Sequence, residues 1–230
     1  INVNTFDCSN VGANQVTLTV TDIHGNTATC VASVTVLDNT APIAVCQDIT
    51  LELGNNGTVT VDPLDVDGGS SDACGIASYE LDIDTLDCSN LGNTAVILTV
   101  TDVNGNQSSC SAIVTLEDNT PPVLVCNDTT VELNQDGVAF ITPSLVADID
   151  DNCGTGAVTV DVQEVSCADI GTPVTVNVFA NDGNGNSAVC SAVVTVVDLL
   201  APEIVCPDDQ VVNLGPDGTY TIGDYIGDGS

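Results

Sequence analysis

Aspartate and asparagine side chains recur in this chain at places where they could bind a hard cation. They occupy two sets of positions about 80 residues apart: Asp38, Asn39, Asp67, Asp72, Asp102, Asn104 and Asn106, then Asp118, Asn119, Asp148, Asp151, Asp182, Asn184 and Asn186. Ca²⁺ is bound by about six to eight carboxylate, amide and carbonyl oxygens of this kind. The chain has 33 Asp and Glu but no Lys or Arg, so counter-ions or bound metal must relieve the repulsion between its carboxylates. The sequence therefore predicts Ca²⁺ at both sets. In the alternative interpretation these residues shape tight turns through local hydrogen bonds, and no metal is needed.

The 11 cysteines could form disulfides. Cys30, Cys110 and Cys190 are 80 residues apart, and the same step separates Cys46 from Cys126. Each complete unit holds four cysteines, which in a secreted module indicates two disulfides with three possible connectivities. A zinc site is disfavoured, because the chain has no CxxC motif and a single histidine.

The sequence predicts no enzymatic activity. His24 has no counterpart at the matching positions of the other copies, so it does not indicate a nucleophile–base triad, and we interpret it as an exposed loop residue. A glycosidase would need two carboxylates in a cleft beside aromatic side chains. The three Tyr and three Phe of this chain are instead scattered along it.

The chain consists of tandem repeats. Nearly the same sequence recurs at 16–53, 96–133 and 174–214, with landmarks at a step of 80 residues. Self-similarity at a fixed period indicates an array of folded modules, and about 80 residues suffices for a domain with its own core. The predicted units are the C-terminal part of a repeat at 1–37, complete repeats at 38–117 and 118–197, and the N-terminal part of another at 198–230.

The elements that must position these residues are predicted to be β-strands. Apolar residues alternate at Val96, Leu98 and Val100, and in the matching segments of the other copies, which is the period of a half-buried strand. The turns IHGN, VNGN and GNGN that follow predict hairpins with type I′ turns. A second hairpin is predicted around GNNG, between 51–53 and 59–61. Helix should be minor, and the pattern fits an all-β protein of immunoglobulin-like sandwiches. In such a sandwich the linker at 38–39, the loop with Asp67 and Asp72, and the hairpin at 102–106 lie at the same end. Their Asp and Asn side chains would converge there.

The order of these motifs resembles the HYR (hyalin repeat) family. The resemblance rests on four motifs in this order: Asp-Asn-Thr-Pro-Pro-(x)3-Cys, Asp-(Ala/Asn)-Cys-Gly, Thr-Asp-x-x-Gly-Asn-(x)3-Cys and Val-Thr-Val. The resemblance implies immunoglobulin-like modules strung along extracellular adhesive proteins. This variant is most similar to giant repetitive surface proteins of Bacteroidota, namely the gliding and adhesion proteins exported by the type IX pathway.

The resemblance also bears on the disulfides, although Cys88 departs from the usual family pattern. The favoured scheme lies within each unit: Cys46–Cys110, Cys74–Cys88, Cys126–Cys190 and Cys153–Cys167. It gives Cys8, Cys30 and Cys206 no partner in this sequence. The rival scheme bridges the junctions: Cys30–Cys46, Cys110–Cys126 and Cys190–Cys206.

The expected function is that of a rigid stalk or fibre in an extracellular, cell-surface adhesin or filament, stiffened by Ca²⁺ and disulfides. The alternatives are repeated carbohydrate- or surface-binding modules of a matrix adhesin, and a non-catalytic tail of a secreted enzyme. The expected partners are neighbouring repeats, laterally associated chains, and glycans or surfaces.

Other partners are excluded by composition. Nucleic acid is disfavoured because no cation could neutralise phosphates, and no apolar stretch is long enough to insert into a membrane.

Asp-Thr pairs predict O-glycosylation at Thr85 and Thr129. Sequons lie at Asn56, Asn106 and Asn127.

Overall fold

The computed structural model describes residues 1–202 and 211–220. These residues form two compact units. The first comprises 1–123, 150–156 and 181–187, and the second comprises 124–149, 157–180 and the described residues from 188 onward. Cys206 lies outside the described residues, as does much of the last predicted repeat, 198–230.

The strands of residues 1–117 pair in one hairpin and two sheets. They are β1 (Gly12–Thr21), β2 (Thr27–Val36), β3 (Ile49–Glu52), β4 (Thr58–Thr60), β5 (Ile76–Leu81), β6 (Thr85–Asp87), β7 (Gly92–Asp102) and β8 (Gln107–Glu117). β1 and β2 form the hairpin. One sheet has the order β3-β8-β7-β5, with β3 parallel to β8 and the other neighbours antiparallel, and the other sheet pairs β4 with β6. Short strands in two sheets with these connections form an immunoglobulin-like sandwich.

Alternate side chains of β7 and β8 fill the core of this sandwich. Val96, Leu98 and Val100 of β7 are fully buried, and the intervening residues face outward. This confirms the alternation predicted from the sequence. The whole buried cluster is Leu53, Val61, Val66, Leu86, Val96, Leu98, Val100, Ala112, Val114 and Leu116.

The later strands repeat this order around a second core. They are β9 (Val123–Cys126), β10 (Thr129–Glu132), β11 (Val138–Phe140), β12 (Ala147–Asp150), β13 (Val158–Val160), β14 (Glu164–Ser166), β15 (Val174–Asn181) and β16 (Ser187–Val197). The four-stranded sheet has the order β10-β16-β15-β13, β11 pairs with β14, and β12 pairs with β9. The core contains Val131, Leu133, Ile141, Val146, Val165, Val176, Val178, Ala192, Val194 and Val196.

Helical structure in the described chain is confined to short turns. The α-helix Pro143–Val146 has four residues, and 3₁₀ turns lie at Cys8–Asn10, Cys88–Asn90 and Cys167–Asp169. Each 3₁₀ turn begins with a capping box, for example Asp87 with Asn90. Within the described ranges, no helix is long and apolar enough to cross a membrane. The fold is therefore all-β, as predicted.

The β1–β2 hairpin exposes a face that is buried in the following copy. Leu18 is 46% exposed and Val20 is 60% exposed, whereas the matching Leu98 and Val100 are 0% exposed. The difference arises because Leu98 and Val100 are covered by the other sheet of their own sandwich. Residues 1–37 contribute only the hairpin and one 3₁₀ turn.

Two predictions about turns are wrong. The GNNG turn is present, with Gly54 N donating to Thr58 O at 3.1 Å. However, β3 before it pairs with β8 and β4 after it pairs with β6, so the chain changes sheets there and forms no hairpin.

The hairpin tips are not type I′ either. Around Asp102, Gly105 N donates to Asp102 O and Asp102 N to Asn106 O, and only the glycine has a positive φ, of 91°. A type I turn followed by a left-handed glycine needs no strained asparagine.

Four disulfides are present among the described residues, and they agree with neither predicted scheme as a whole. Cys46–Cys110 and Cys126–Cys190 form within the predicted repeats 38–117 and 118–197, as predicted. Cys74–Cys88 and Cys153–Cys167 are wrong: the structure pairs Cys8 with Cys74 and Cys88 with Cys153. The junction-bridging scheme is wrong as well, because Cys46, Cys110, Cys126 and Cys190 are used within units. Cys30 and Cys167 are exposed free thiols.

The positions of Cys74 and Cys88 explain the correction. Cys74 precedes β5, whose first residue pairs with Asp102, near the start of β8. Cys88 contacts Gly57 O at 3.6 Å. Gly57 N donates to Gly54 O, and the preceding residue, Leu53, donates from its N to Glu117 O at the far end of β8. β8 has 11 residues, or roughly 35 Å at strand rise. A disulfide needs Cα atoms within about 7 Å, so these two cysteines cannot meet.

Candidate functional site

The candidate site begins at the β7–β8 hairpin, whose tip is held by a buried carboxylate. Asp102 is 1% exposed. Its Oδ1 accepts hydrogen bonds from Asn104 N at 2.9 Å and Asn106 N at 2.8 Å, and its Oδ2 accepts one from Asn106 Nδ2 at 2.7 Å. Burial acts to raise the pKa of Asp102, but the bonds from the Asn106 side chain and the turn backbone outweigh it and hold that pKa below its ordinary value. The turn is thus built around an ionised carboxylate.

The next layer is Asp38, in the segment between β2 and β3. Asn104 Nδ2 donates to Asp38 Oδ2 at 2.8 Å, and Asn106 Nδ2 donates to Asp38 O at 3.1 Å. Asp38 Oδ1 accepts from Thr40 N at 3.1 Å. In a chain without Lys or Arg, asparagine amides take the place of cations as partners of carboxylates.

A second carboxylate lies beside Asp38. Possible ligand atoms of Asp38, Asp72 and Cys74 all lie within 4.8 Å of one another. Cys74 is bonded to Cys8, so its sulfur is not a thiolate and cannot act as a hard ligand. Asp72 Oδ1 accepts from Cys74 N at 2.7 Å and from Gly75 N at 3.1 Å. Two carboxylates this close, without a basic side chain to offset them, fit the donor chemistry of Ca²⁺.

The equivalent cluster at Asp118 is built with one more amide. Asp118 is 5% exposed, and it accepts from Asn184 Nδ2 at Oδ2 (3.1 Å) and from Asn186 Nδ2 at its backbone oxygen (2.9 Å). Asn152 Nδ2 also donates to Asp118 Oδ1 at 3.2 Å. Asn152 occupies the position of Ala73 in the previous copy, so this cluster has a donor that the first one lacks.

Asp182 supports this cluster as Asp102 supports the first. Asp182 Oδ1 accepts from Asn184 N at 2.8 Å and Asn186 N at 3.1 Å. Its burial again opposes ionisation, yet the Asn186 side chain and the turn backbone hold the pKa of Asp182 below its ordinary value.

Two oxygens of this second cluster have unmet bonding capacity. Asp151 Oδ2 and Asn152 Oδ1 are buried, and neither has a hydrogen-bond partner in the described structure. Buried oxygens without a donor are costly, and a cation would satisfy them. Asp151 matches Asp72 in the repeat, but the two observations differ: Asp72 lies close to a second carboxylate, whereas Asp151 has a buried oxygen without a partner.

The structure does not bring all the predicted ligands together. Asp67 accepts from Ser70 N at 2.9 Å within its own loop, and it is not part of the group around Asp38. Asp148 Oδ2 accepts from Asn127 Nδ2 at 3.0 Å within the second unit. Asn119 donates to Glu52 Oε1 at 3.0 Å, and Asn39 is exposed.

One contributor, Asn152, was missed by sequence reasoning. It carries no repeat signal, because the matching residue is alanine. His24 is exposed in its turn. Of the predicted glycosylation positions, Thr85 is exposed and Thr129 is half-buried.

No protein-family model matches the chain, and no curated protein matches it either. Solved structures that the chain matches include Protocadherin Gamma C5 EC1-3, at 12% identity and a TM-score of 0.36, covering 82% of this chain and 79% of that one. Mouse clustered PcdhgC3 EC1-3 has 13% identity and a TM-score of 0.33, covering 83% and 80%. The N-terminal four Ig domains of Dscam1 isoform 8.4 have 11% identity and a TM-score of 0.37, covering 75% of this chain and 52% of that one. Identities this low transfer no function to this chain.

Proposed function

We propose that this chain is a structural segment of an extracellular, cell-surface adhesin or filament, in which the repeats form a stiff stalk or fibre. The observation that carries the proposal is that disulfides within one predicted repeat alternate along the chain with disulfides that join neighbouring repeats. Cys46–Cys110 closes the predicted repeat 38–117, and Cys88–Cys153 joins it to the predicted repeat 118–197. Four disulfides also indicate an oxidising compartment.

The motif order supports the finer assignment to HYR-like repeats of large Bacteroidota surface proteins, of the gliding and adhesion type. In this proposal the 80-residue units 38–117 and 118–197 are the modules. Their partners are the neighbouring repeats, with lateral association of chains and contact with glycans or surfaces at the adhesive end.

The stalk proposal predicts an elongated particle that depends on its disulfides. Small-angle X-ray scattering of the oxidised chain should give an extended, rigid particle, and the reduced chain should show greater flexibility. A compact oxidised particle would overturn the stalk. A glycan array probed with the same chain separates a passive spacer, which binds nothing, from repeated binding modules.

We further propose that Ca²⁺ binds at both clusters, one ion beside Asp38 and Asp72 and one beside Asp118 and Asp151. The first has two carboxylates close together in a chain without Lys or Arg, and the second has buried oxygens without partners. When bound, the ion would supply the positive charge that the chain itself lacks.

Isothermal titration with CaCl₂ tests this proposal. Two ions should bind, and Asp72→Asn and Asp151→Asn should each remove one of them. The control is Asp136→Asn, which removes the same charge from an exposed loop of the second unit and should remove none. Absence of binding, or equal loss in all three variants, would refute calcium and leave the disulfide-based stalk standing.

A further inference from the structure

The four disulfides form overlapping loops along the chain. They close Cys8 to Cys74, Cys46 to Cys110, Cys88 to Cys153, and Cys126 to Cys190, with sequence separations of 66, 64, 65 and 64. Each loop begins before the previous one ends. Every peptide bond between Cys8 and Cys190 therefore lies inside at least one closed covalent loop.

The two kinds of disulfide have different consequences. Cys46–Cys110 and Cys126–Cys190 alone would leave residues 110–126 as a single, unprotected strand of chain. Cys88–Cys153 is the one described disulfide that spans this stretch, and Cys8–Cys74 does the same for the stretch before Cys46. Each of these stretches is thus crossed by two covalent connections, a peptide and a disulfide.

We propose that this chain acts as a covalently redundant tether, in which one backbone break anywhere between Cys8 and Cys190 leaves both parts joined. Hydrolysis of one peptide bond adds one water and leaves the disulfides unchanged, so the molecule keeps its mass plus that water. This function suits a polymer exposed to proteases or to mechanical load. It rests on the disulfide topology and goes beyond the adhesive role.

The same topology limits how far the chain can be stretched. Under tension between its ends, the Cys126–Cys190 bridge keeps its 64-residue loop out of the load path. That loop corresponds to roughly 210–230 Å of extended backbone. Overlap means that opening one bridge transfers load to its neighbours and does not release the whole loop at once.

The composition of the chain allows a direct test. Because the chain has no Lys or Arg, a single introduced lysine is its only tryptic site. Asn119→Lys places that site in the exposed segment between Cys110 and Cys126, and the lysine retains a donor for Glu52. Free thiols are alkylated, and the protein is digested in urea without reductant, so that cleavage does not depend on folding.

The expected result is one band on a non-reducing gel and two fragments, 1–119 and 120–230, after reduction. The control variant Leu200→Lys/Cys206→Ser is cut beyond Cys190 and its short fragment holds no cysteine, so that fragment should separate without reductant. Adding Cys88→Ser to Asn119→Lys should separate the fragments without reductant, whereas adding Cys30→Ser should not. Peptide mapping identifies the Cys88–Cys153 linkage directly.

Separation of the Asn119→Lys fragments on the non-reducing gel would overturn the proposal, as would a map that pairs Cys88 with Cys74. Scattering measures the stalk shape and titration measures calcium binding independently of this gel, so an elongated particle whose fragments separate would overturn the tether and leave the stalk, whereas a compact particle whose fragments stay joined would do the reverse.

Discussion

Removing Cys46–Cys110 should cost its sandwich a large part of its stability. The bridge closes a separation of 64 residues, for which the chain-entropy model gives about 4 kcal/mol. The other disulfides reduce this figure only slightly, because the parallel routes through Cys8–Cys74 and Cys88–Cys153 are longer than the direct one and the entropy depends on the logarithm of loop length. A domain of this size has a total unfolding free energy of about 4–12 kcal/mol, so the loss is a third or more.

Differential scanning calorimetry of the oxidised double variant Cys46→Ser/Cys110→Ser measures this loss. About 4 kcal/mol corresponds to a fall in Tm of roughly 15–30 °C for a domain of this length. Cys126→Ser/Cys190→Ser, with the same separation of 64, should lower the second transition equally. Cys30→Ser, at an exposed free thiol, should leave both transitions in place. A fall of less than about 5 °C, or about 1 kcal/mol, would refute the loop-entropy reasoning.

Three further outcomes follow from single side chains. Leu86→Ala, at a fully buried position, should lower the free energy of unfolding in urea by about 2–5 kcal/mol, whereas Leu64→Ala, at a position 60% exposed, should change it by less than about 0.5 kcal/mol. The folded pKa of Asp102 is below its ordinary value of 3.8. The stability that its carboxylate contributes is therefore complete above pH 3.8 and is lost as the pH falls through the folded pKa. Hydrogen exchange measured along an acid titration should show a smaller loss of stability over this range in Asp102→Asn. Gly57 and Gly137 have φ of 73° and 72°, but an added Cβ at Gly57 would lie 2.5 Å from a backbone carbonyl oxygen. Gly57→Ala should therefore slow formation of Cys88–Cys153 during oxidative refolding more than Gly137→Ala does, and equal rates would contradict the predicted clash.

The sheets were predictable wherever a strand carries its own period. Val96, Leu98 and Val100 alternate with polar residues, and that pattern alone places one face in a core. The GNNG segment was not predictable in the same way. Leu53 and Val61 on its two sides are both buried, and a local pattern does not show whether two buried strands face each other across a core or pair edge to edge.

The disulfides show where local reasoning ends. Cys74 and Cys88 are 14 residues apart in the chain, which favours a short loop, yet they lie near opposite ends of β8. Their positions depend on how long that strand becomes, which is a tertiary property. One signal was available in the spacing: all four observed separations fall between 64 and 66 residues.

The candidate site was predictable in composition but not in geometry. Asp38, Asp102, Asn104 and Asn106 do meet, because the hairpin tip and the incoming segment share one pole. Their hydrogen bonds show why amides accompany the carboxylates: each amide donates an N–H where another protein would use Lys or Arg. Asp67 was expected at the same place but instead caps its own loop, and such a side-chain choice is not visible in sequence spacing.

In a chain with 33 acidic residues and no Lys or Arg, the negative charge of the carboxylates has consequences at two length scales. At short range the carboxylates of Asp38, Asp102 and Asp118 are each held by N–H donors. At long range, the repulsion that counter-ions or bound metal do not relieve opposes compaction of the chain. Hydrogen bonds at the turns do not limit how far the chain extends, but covalent loops do, because the repulsion cannot lengthen a closed loop beyond its contour. In the proposed stalk the acidic composition and the overlapping disulfides are therefore complementary: repulsion between carboxylates opposes compaction, and the closed loops limit how far the backbone can be drawn out.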